Sequence, residues 1–148
     1  MDLISEKSKV LHEPLGTVKK ITPEIKNLIE EMRKIMVVKK GVGLAANQVG
    51  KNLRIFVIEK KLADDNQVPD AYINPTITEM SKEDDEMEEG CLSLPGHWQM
   101  IKRAKKVWIK ALDENGNKIR FKAKGFLARV LQHEYDHLRG VLIKDKSK

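Results

Sequence analysis

A single cysteine in 148 residues excludes an internal disulfide framework. In a reducing compartment Cys91 is then a ligand, a nucleophile or core filler. Histidine is almost as scarce, with four in the whole chain, so two of them inside one short motif carry weight. No stretch approaches the roughly 18 apolar residues of a membrane span. The opening Met1-Asp2-Leu3-Ile4-Ser5-Glu6-Lys7 also has none of the apolar run of a secretion signal. The expected compartment is the cytoplasm, with no membrane partner. Internal repeats, low-complexity tracts and nucleic-acid motifs are absent too; the net charge of +6 comes from scattered lysines and reads as a solvated surface. With 41% hydrophobic residues the chain is long enough to bury a core, and a single domain over 1–148, acting as a monomer, is expected.

What is present is concentrated near the C-terminus, in Phe126-Leu-Ala-Arg-Val-Leu-Gln-His-Glu-Tyr-Asp-His-Leu-Arg-Gly140. Leu127, Val130, Leu131, Tyr135 and Leu138 recur at helical spacing, Gly125 opens the segment and Gly140 stops it. His133 and His137, four residues apart, therefore lie one turn apart on one face, close enough for both imidazoles to reach one metal ion. This is the H-E-x-x-H pattern. Glu134 is rotated by about 100° from His133, away from the ligand face but within reach of a water that the ion activates, the place of a general base.

A catalytic metal usually takes three protein ligands. A downstream Glu, as in thermolysin-like proteases, is not available, because the only carboxylate side chain after His137 is Asp145. The metzincin extension fits as far as Gly140 and then meets Ile143 where a third His is required. The third ligand has to come from upstream, where Cys91, His97 and His12 are chemically suitable.

Upstream, Thr22-Pro23-Glu24 is a helix start with an N-cap and an N1 proline, and Ile25, Leu28, Ile29, Met32, Ile35 and Met36 form one apolar stripe over about 23–37. Gly41-Val-Gly-Leu-Ala-Ala-Asn-Gln-Val-Gly50 has the look of a dinucleotide fingerprint, but it follows a helix and precedes the β-rich Leu53–Ile58, the reverse of what that motif needs. It reads either as a tight turn or as a loop that lets a substrate backbone come close while Gln48 presents an amide donor. Ala71-Tyr-Ile-Asn-Pro-Thr-Ile-Thr78 reads as a strand broken near Pro75. The acidic run from Ser81 to Glu89 reads as a solvated loop or exposed strand edge, and Cys91 as part of a bend between Gly90 and Pro95. Lys105–Leu112 is a strand, Asp113–Asn117 a hairpin turn, and Lys118–Lys122 the antiparallel return. The order predicts an α+β fold, mainly antiparallel sheet around a buried C-terminal helix.

Three segments taken together, Gly41-Val-Gly-Leu-Ala-Ala-Asn-Gln48, Glu89-Gly-Cys-Leu-Ser93 and Gln132-His-Glu-Tyr-Asp-His137, resemble in sequence and order the signature motifs of the peptide deformylases. The likeness extends through Val49-Gly50, Arg54–Ile58, Ile73-Asn-Pro75 and Arg103, covering nearly everything from about residue 25 onward.

The resemblance implies one divalent metal, Fe(II) in cells and zinc, nickel or cobalt as substitutes, on Cys91, His133 and His137. It implies removal of the N-formyl group from the initiator methionine of nascent peptides. It makes Glu134 the base, and Gln48 with the backbone N–H of Leu92 the oxyanion donors. The methionine side chain is expected in an apolar pocket near Val42, Met87, Phe126 and Val130, with Gly43 and Gly90 allowing backbone pairing to the peptide; Arg129 is either rim or ion-pair partner. Two features depart from the family. The chain stops soon after Ile143, without the longer C-terminal helix associated with ribosome contact, which weakens that partnership; and Trp98 stands where many members carry a polar or basic residue, which alters contacts beyond the methionine. Two rival readings, a peptidase cutting internal bonds and an inactive metal-binding protein, leave the Cys91 and Gln48 segments unexplained.

Overall fold

A computed structural model describes Leu3 and residues 15–141 of the chain; His12, Ile143, Asp145 and the short C-terminal tail lie outside the described residues. Thr22 caps α1 (Pro23–Val38), its hydroxyl accepting from Ile25 N at 3.3 Å. β1 (Gly43–Ala45) and a short 3-10 turn (Ala46–Val49) follow, then β2 (Ile55–Ile58), α2 (Lys60–Asp65), β3 (Ala71–Met80), β4 (Asp84–Cys91), β5 (Leu94–Ala104), β6 (Lys106–Leu112), β7 (Lys118–Lys124) and α3 (Gly125–Leu138). β1-β2-β3-β6-β7 form a five-stranded antiparallel sheet, and β4-β5 a separate hairpin. This is the expected α+β fold.

At β2 the sheet is covered on both faces, which explains why the four residues of that strand are all apolar and all buried. Ile55 and Val57 join Leu28, Ile29, Met32 and Met36 of α1 in one cluster, whereas Phe56 and Ile58 join Leu127, Val130, Leu131 and Leu138 of α3 in the other. Burial of each such side chain is worth about 1.5–3 kcal/mol, so α3 is fixed by an apolar face over half its turns. That leaves its remaining side chains free to be polar and still inaccessible.

Three expectations need correction. β3 is not broken at Pro75; it continues through a register shift between Ile73 and Thr76, where the missing N–H of proline does least harm. Asn74 occupies φ 52°, and its amide bonds both Val18 N and Val18 O at 2.8 Å, pinning the N-terminal segment to the bulge. The glycine-rich stretch is not purely loop, since Gly43–Ala45 pairs with Phe56–Ile58 as an edge strand. The segment after Cys91 is an 11-residue strand, β5, whose partner β4 is the acidic run, in the second of its two expected forms, an exposed strand. Thus Cys91 closes a strand opposite Leu94 rather than sitting in an isolated bend.

Candidate metal centre

α3 begins with Gly125 at φ +65° and is followed by Gly140 at φ +76°, whose N–H reaches His137 O at 3.0 Å. The same carbonyl accepts from Asn47 Nδ2 at 2.8 Å, which ties the last turn of the helix to the 3-10 turn after β1. Gln132 fastens the opposite flank: its amide accepts from Ala104 N and donates to Ala104 O, both at 2.9 Å, joining α3 to the end of β5. Held between these ties, Cys91, His133 and His137 bring one donor atom each to within 4.8 Å of one another. Cys91 Sγ lies 3.2 Å from His137 Nε2, and the two imidazole rings are 5.0 Å apart. A thiolate and two imidazoles in that space suit a single divalent ion with a tetrahedral preference. Of the three candidates for a third ligand, the structure brings Cys91 to the histidines; His97 sits at the rim, with Nε2 2.7 Å from Gln99 Oε1.

The orientation of His133 comes from a residue that the sequence alone did not single out. Glu89, buried at the end of β4, has one oxygen 2.9 Å from His133 Nδ1, which leaves Nε2 for the shared site. Both its oxygens also accept from Arg103, at 2.9 and 3.0 Å, and Arg129 bonds it as well. Arg103 continues to Asp136 at 2.5 Å, and Arg129 to Asp85 at 2.7 Å. The ambiguity over Arg129 is resolved: it is a buried ion-pair partner that also lines the cavity. Burial opposes ionisation of Glu89, but His133 and Arg103 more than offset it and hold the carboxyl well below its ordinary range. A weak signal existed in the sequence, Glu89 being the only carboxylate inside the Cys91 motif.

Glu134 is the contrasting carboxylate. It is 3% exposed, and its Oε1 has no hydrogen-bond partner among the described residues. Burial is the largest influence and pushes its pKa up to about 7, against the pull of His133 and Arg103. A buried acceptor left unpaired costs free energy that a bound water or substrate would recover. Gly43 is packed directly against this carboxylate: a Cβ built there would lie 2.6 Å from Glu134 Oε2.

Gln48 is 1% exposed, its Oε1 fixed by Ala45 N at 2.9 Å and its Nε2 donating to Ser93 Oγ at 2.9 Å, with Cys91 Sγ at 3.5 Å. Cys91, His133, Glu134 and Glu89 border one cavity of about 640 Å³, whose wall includes Val42, Gly43, Gly90, Leu92, Phe126 and Val130; Gln48 and His137 lie behind that lining, in contact with Cys91. Met87 is not among the lining residues. It shares the helix-facing side of β4 with Asp85 and Glu89 but is 43% exposed, opposite Ile101. The indole of Trp98 lies over Gly90, where an added Cβ would come within 2.8 Å of the ring, and it too lines the cavity.

The family model described as polypeptide deformylase matches residues 1–148. Peptide deformylase 1 of Clostridium perfringens is 50% identical over 137 residues, 93% of this chain and 90% of its own length. The peptide deformylase of Dictyoglomus turgidum is 50% identical over 130 residues, 88% and 81% of the two chains. Among solved structures, the peptide deformylase of Thermotoga maritima superposes with a TM-score of 0.91 at 38% identity, covering 99% of this chain and 96% of that one. One from Synechococcus elongatus in complex with actinonin gives 0.92 at 38% identity, covering 99% and 78%.

Proposed function

The chain belongs to the polypeptide deformylase family and is a metallohydrolase that removes the N-formyl group from the initiator methionine of nascent peptides, releasing formate; on that premise we propose how its own residues divide the reaction. The observation that carries this reading is the cluster of Cys91, His133 and His137 donor atoms, two of whose residues line the same cavity as Glu134 with its unpartnered Oε1. Those three side chains would hold the ion, Fe(II) in the cell with zinc, nickel or cobalt as substitutes, and when bound it would supply Lewis acidity.

Glu134 takes a proton from the attacking water and later delivers it to the departing amine. A carboxyl whose pKa burial has moved to about 7 is suited to both transfers near neutral pH. Gln48 Nε2 and the backbone N–H of Leu92 donate to the oxyanion; the grip of Ala45 N on the far side of the Gln48 amide supports that orientation. β1 is an edge strand of the sheet, so the peptide backbone adds along Gly43 on one side and meets Gly90 on the other. The methionine side chain enters between Val42, Phe126 and Val130; Met87, which lies outside that lining, is not part of the pocket. Trp98 forms the wall met by residues beyond the methionine. The enzyme works as a monomer in the cytoplasm, where formylated chains arise.

The test is mass spectrometry of products from formyl, acetyl and free-amine versions of one Met-Ala peptide with the metal-loaded enzyme. Gly43 is packed so closely on Glu134 that even an added Cβ would meet Oε2 at 2.6 Å; a wall of that kind beside the reacting carbon is expected to exclude a methyl group, giving stoichiometric formate release and a much slower reaction of the acetyl analogue. Equal formyl and acetyl rates, or internal cleavage of the free-amine peptide, would overturn the assignment of roles and favour a peptidase.

A further inference from the structure

The outer face of the β6–β7 hairpin carries a ladder of cations. Val107, Ile109, Ala111 and Ala123 turn inward and pack in the cluster that holds α3, so strand alternation sends their neighbours outward. The cross-strand register then sets Lys106 opposite Lys124, Lys110 opposite Arg120, Trp108 opposite Lys122 and Leu112 opposite Lys118. All six cations are exposed. None takes part in an ion pair among the described residues. Glu79 on β3, opposite Trp108, borders the ladder. Like charges placed directly across a strand pair repel one another and weaken a hairpin. Lys106 with Lys124 and Lys110 with Arg120 are two such pairs, a cost that an anionic partner would relieve.

We propose that this ribbon is a docking surface for the phosphodiester backbone of RNA. The cations along β7 recur every second residue and span about 20 Å from Lys118 to Lys124, a linear array suited to a linear polyanion. At one end Lys105, Lys106 and Lys124 border a shallow cavity of about 380 Å³ together with Gly125 and Asp85, the last already bonded to Arg129. A bilayer is a poorer match, because the one large aromatic of the face, Trp108, is half-buried beneath Lys122, whose Nζ lies 6.0 Å from its ring, and is not free to insert. An acidic protein is a poorer match as well, since the ladder lacks the apolar centre of a protein interface. The choice of RNA over DNA rests on the deformylase assignment: the substrate is the start of a chain made on an RNA template. None of the six cations lines the 640 Å³ cavity, so docking leaves the peptide site open.

The metal-loaded full chain is titrated into a fluorescent 20-nucleotide RNA of mixed sequence at 50–200 mM KCl. Parallel titrations use duplex DNA and vesicles of anionic phospholipid. Six phosphate contacts to a single strand predict a log–log salt slope of about −4 and roughly a 250-fold loss of affinity over that range. Lys110→Glu/Arg120→Glu should weaken binding at least tenfold and flatten the slope, whereas Lys19→Glu/Lys51→Glu, an equal change of net charge at exposed positions elsewhere, should not. Formate release from a formyl-Met peptide, unchanged in both double variants, reports that they are folded and separates failure of this surface from failure of the deformylase reading. Equal weakening by the two double variants, a flat salt slope, duplex DNA binding as tight as RNA, or preferential vesicle binding would each overturn the proposal.

Discussion

Two arginine–carboxylate clusters among the described residues are built from the same chemistry in different surroundings. On the outside, Arg33 of α1 bonds Glu30 on its own helix, Asp70 before β3 at 2.7 Å, and Glu114 in the β6–β7 turn at 2.6 Å, with a fifth of its side chain still exposed. Beside the metal centre, Glu89, Arg103, Arg129 and Asp136 link β4, β5 and α3 with their side chains at most 7% exposed. Water can replace any lost partner in the first cluster and none in the second. The outer cluster is a staple of small net value. The inner one would be costly to break because each member would leave a buried charge uncompensated, and that rigidity is what fixes the ring of His133. Glu134, within the same buried region, has no arginine bonded to it and an unpartnered Oε1, and is the group left available for proton transfer.

The largest effect should come from Glu134→Gln, which removes the proton carrier without breaking a charge pair: turnover falls by about 10²- to 10⁴-fold, while metal content and the denaturation midpoint stay at the wild-type level. A substantial loss of stability would show that Glu134 belongs to the inner cluster after all. Glu89→Ala reverses the pattern. It should lower unfolding stability by about 3–5 kcal/mol and weaken metal retention by about 10- to 100-fold, measured by urea denaturation and by chelator competition; near-normal values for both would remove the distinction between the clusters.

Gln48→Ala deletes a neutral donor from the same buried region and should reduce kcat by about 10²- to 10³-fold with a smaller change in KM, a split that steady-state kinetics on a formyl-Met peptide resolves. Acid sensitivity gives a further contrast. The carboxyl of Glu89 is depressed in the folded state, so its stabilising contribution is complete above its ordinary value of 4.5 and is lost as pH falls below it toward the folded value. Wild-type stability should therefore drop more steeply below pH 4.5 than that of Glu89→Gln, and parallel curves would count against the role given to Glu89. The smallest effect belongs to the outer cluster: Arg33→Ala should cost about 1 kcal/mol or less, with unchanged activity.

Local and periodic features were legible from the order of residues alone. The cap and stripe of α1, the β6–β7 hairpin, the bounds of α3 and the pairing of His133 with His137 on one helical face all follow from spacing and backbone preference, which act within a few residues. The three motifs together also carried the family. Long-range contact decided the rest. That Glu89 aims His133, that Arg129 is buried rather than a rim residue, and that Gln132 and Asn47 lock the two flanks of α3 depend on strands and turns meeting across 28 to 90 positions of chain. Nothing in their local sequence marks them, since a polar residue on a helix or strand reads as solvated until the fold covers it. The second strand of the Cys91 hairpin escaped for a related reason: Leu94–Ala104 mixes exposed Trp98 and Met100 with buried Arg103, so its alternation of burial does not coincide with an alternation of hydrophobicity. Only the packing of β5 against α3, where an arginine rather than a leucine fills the interior position, gives that strand its order.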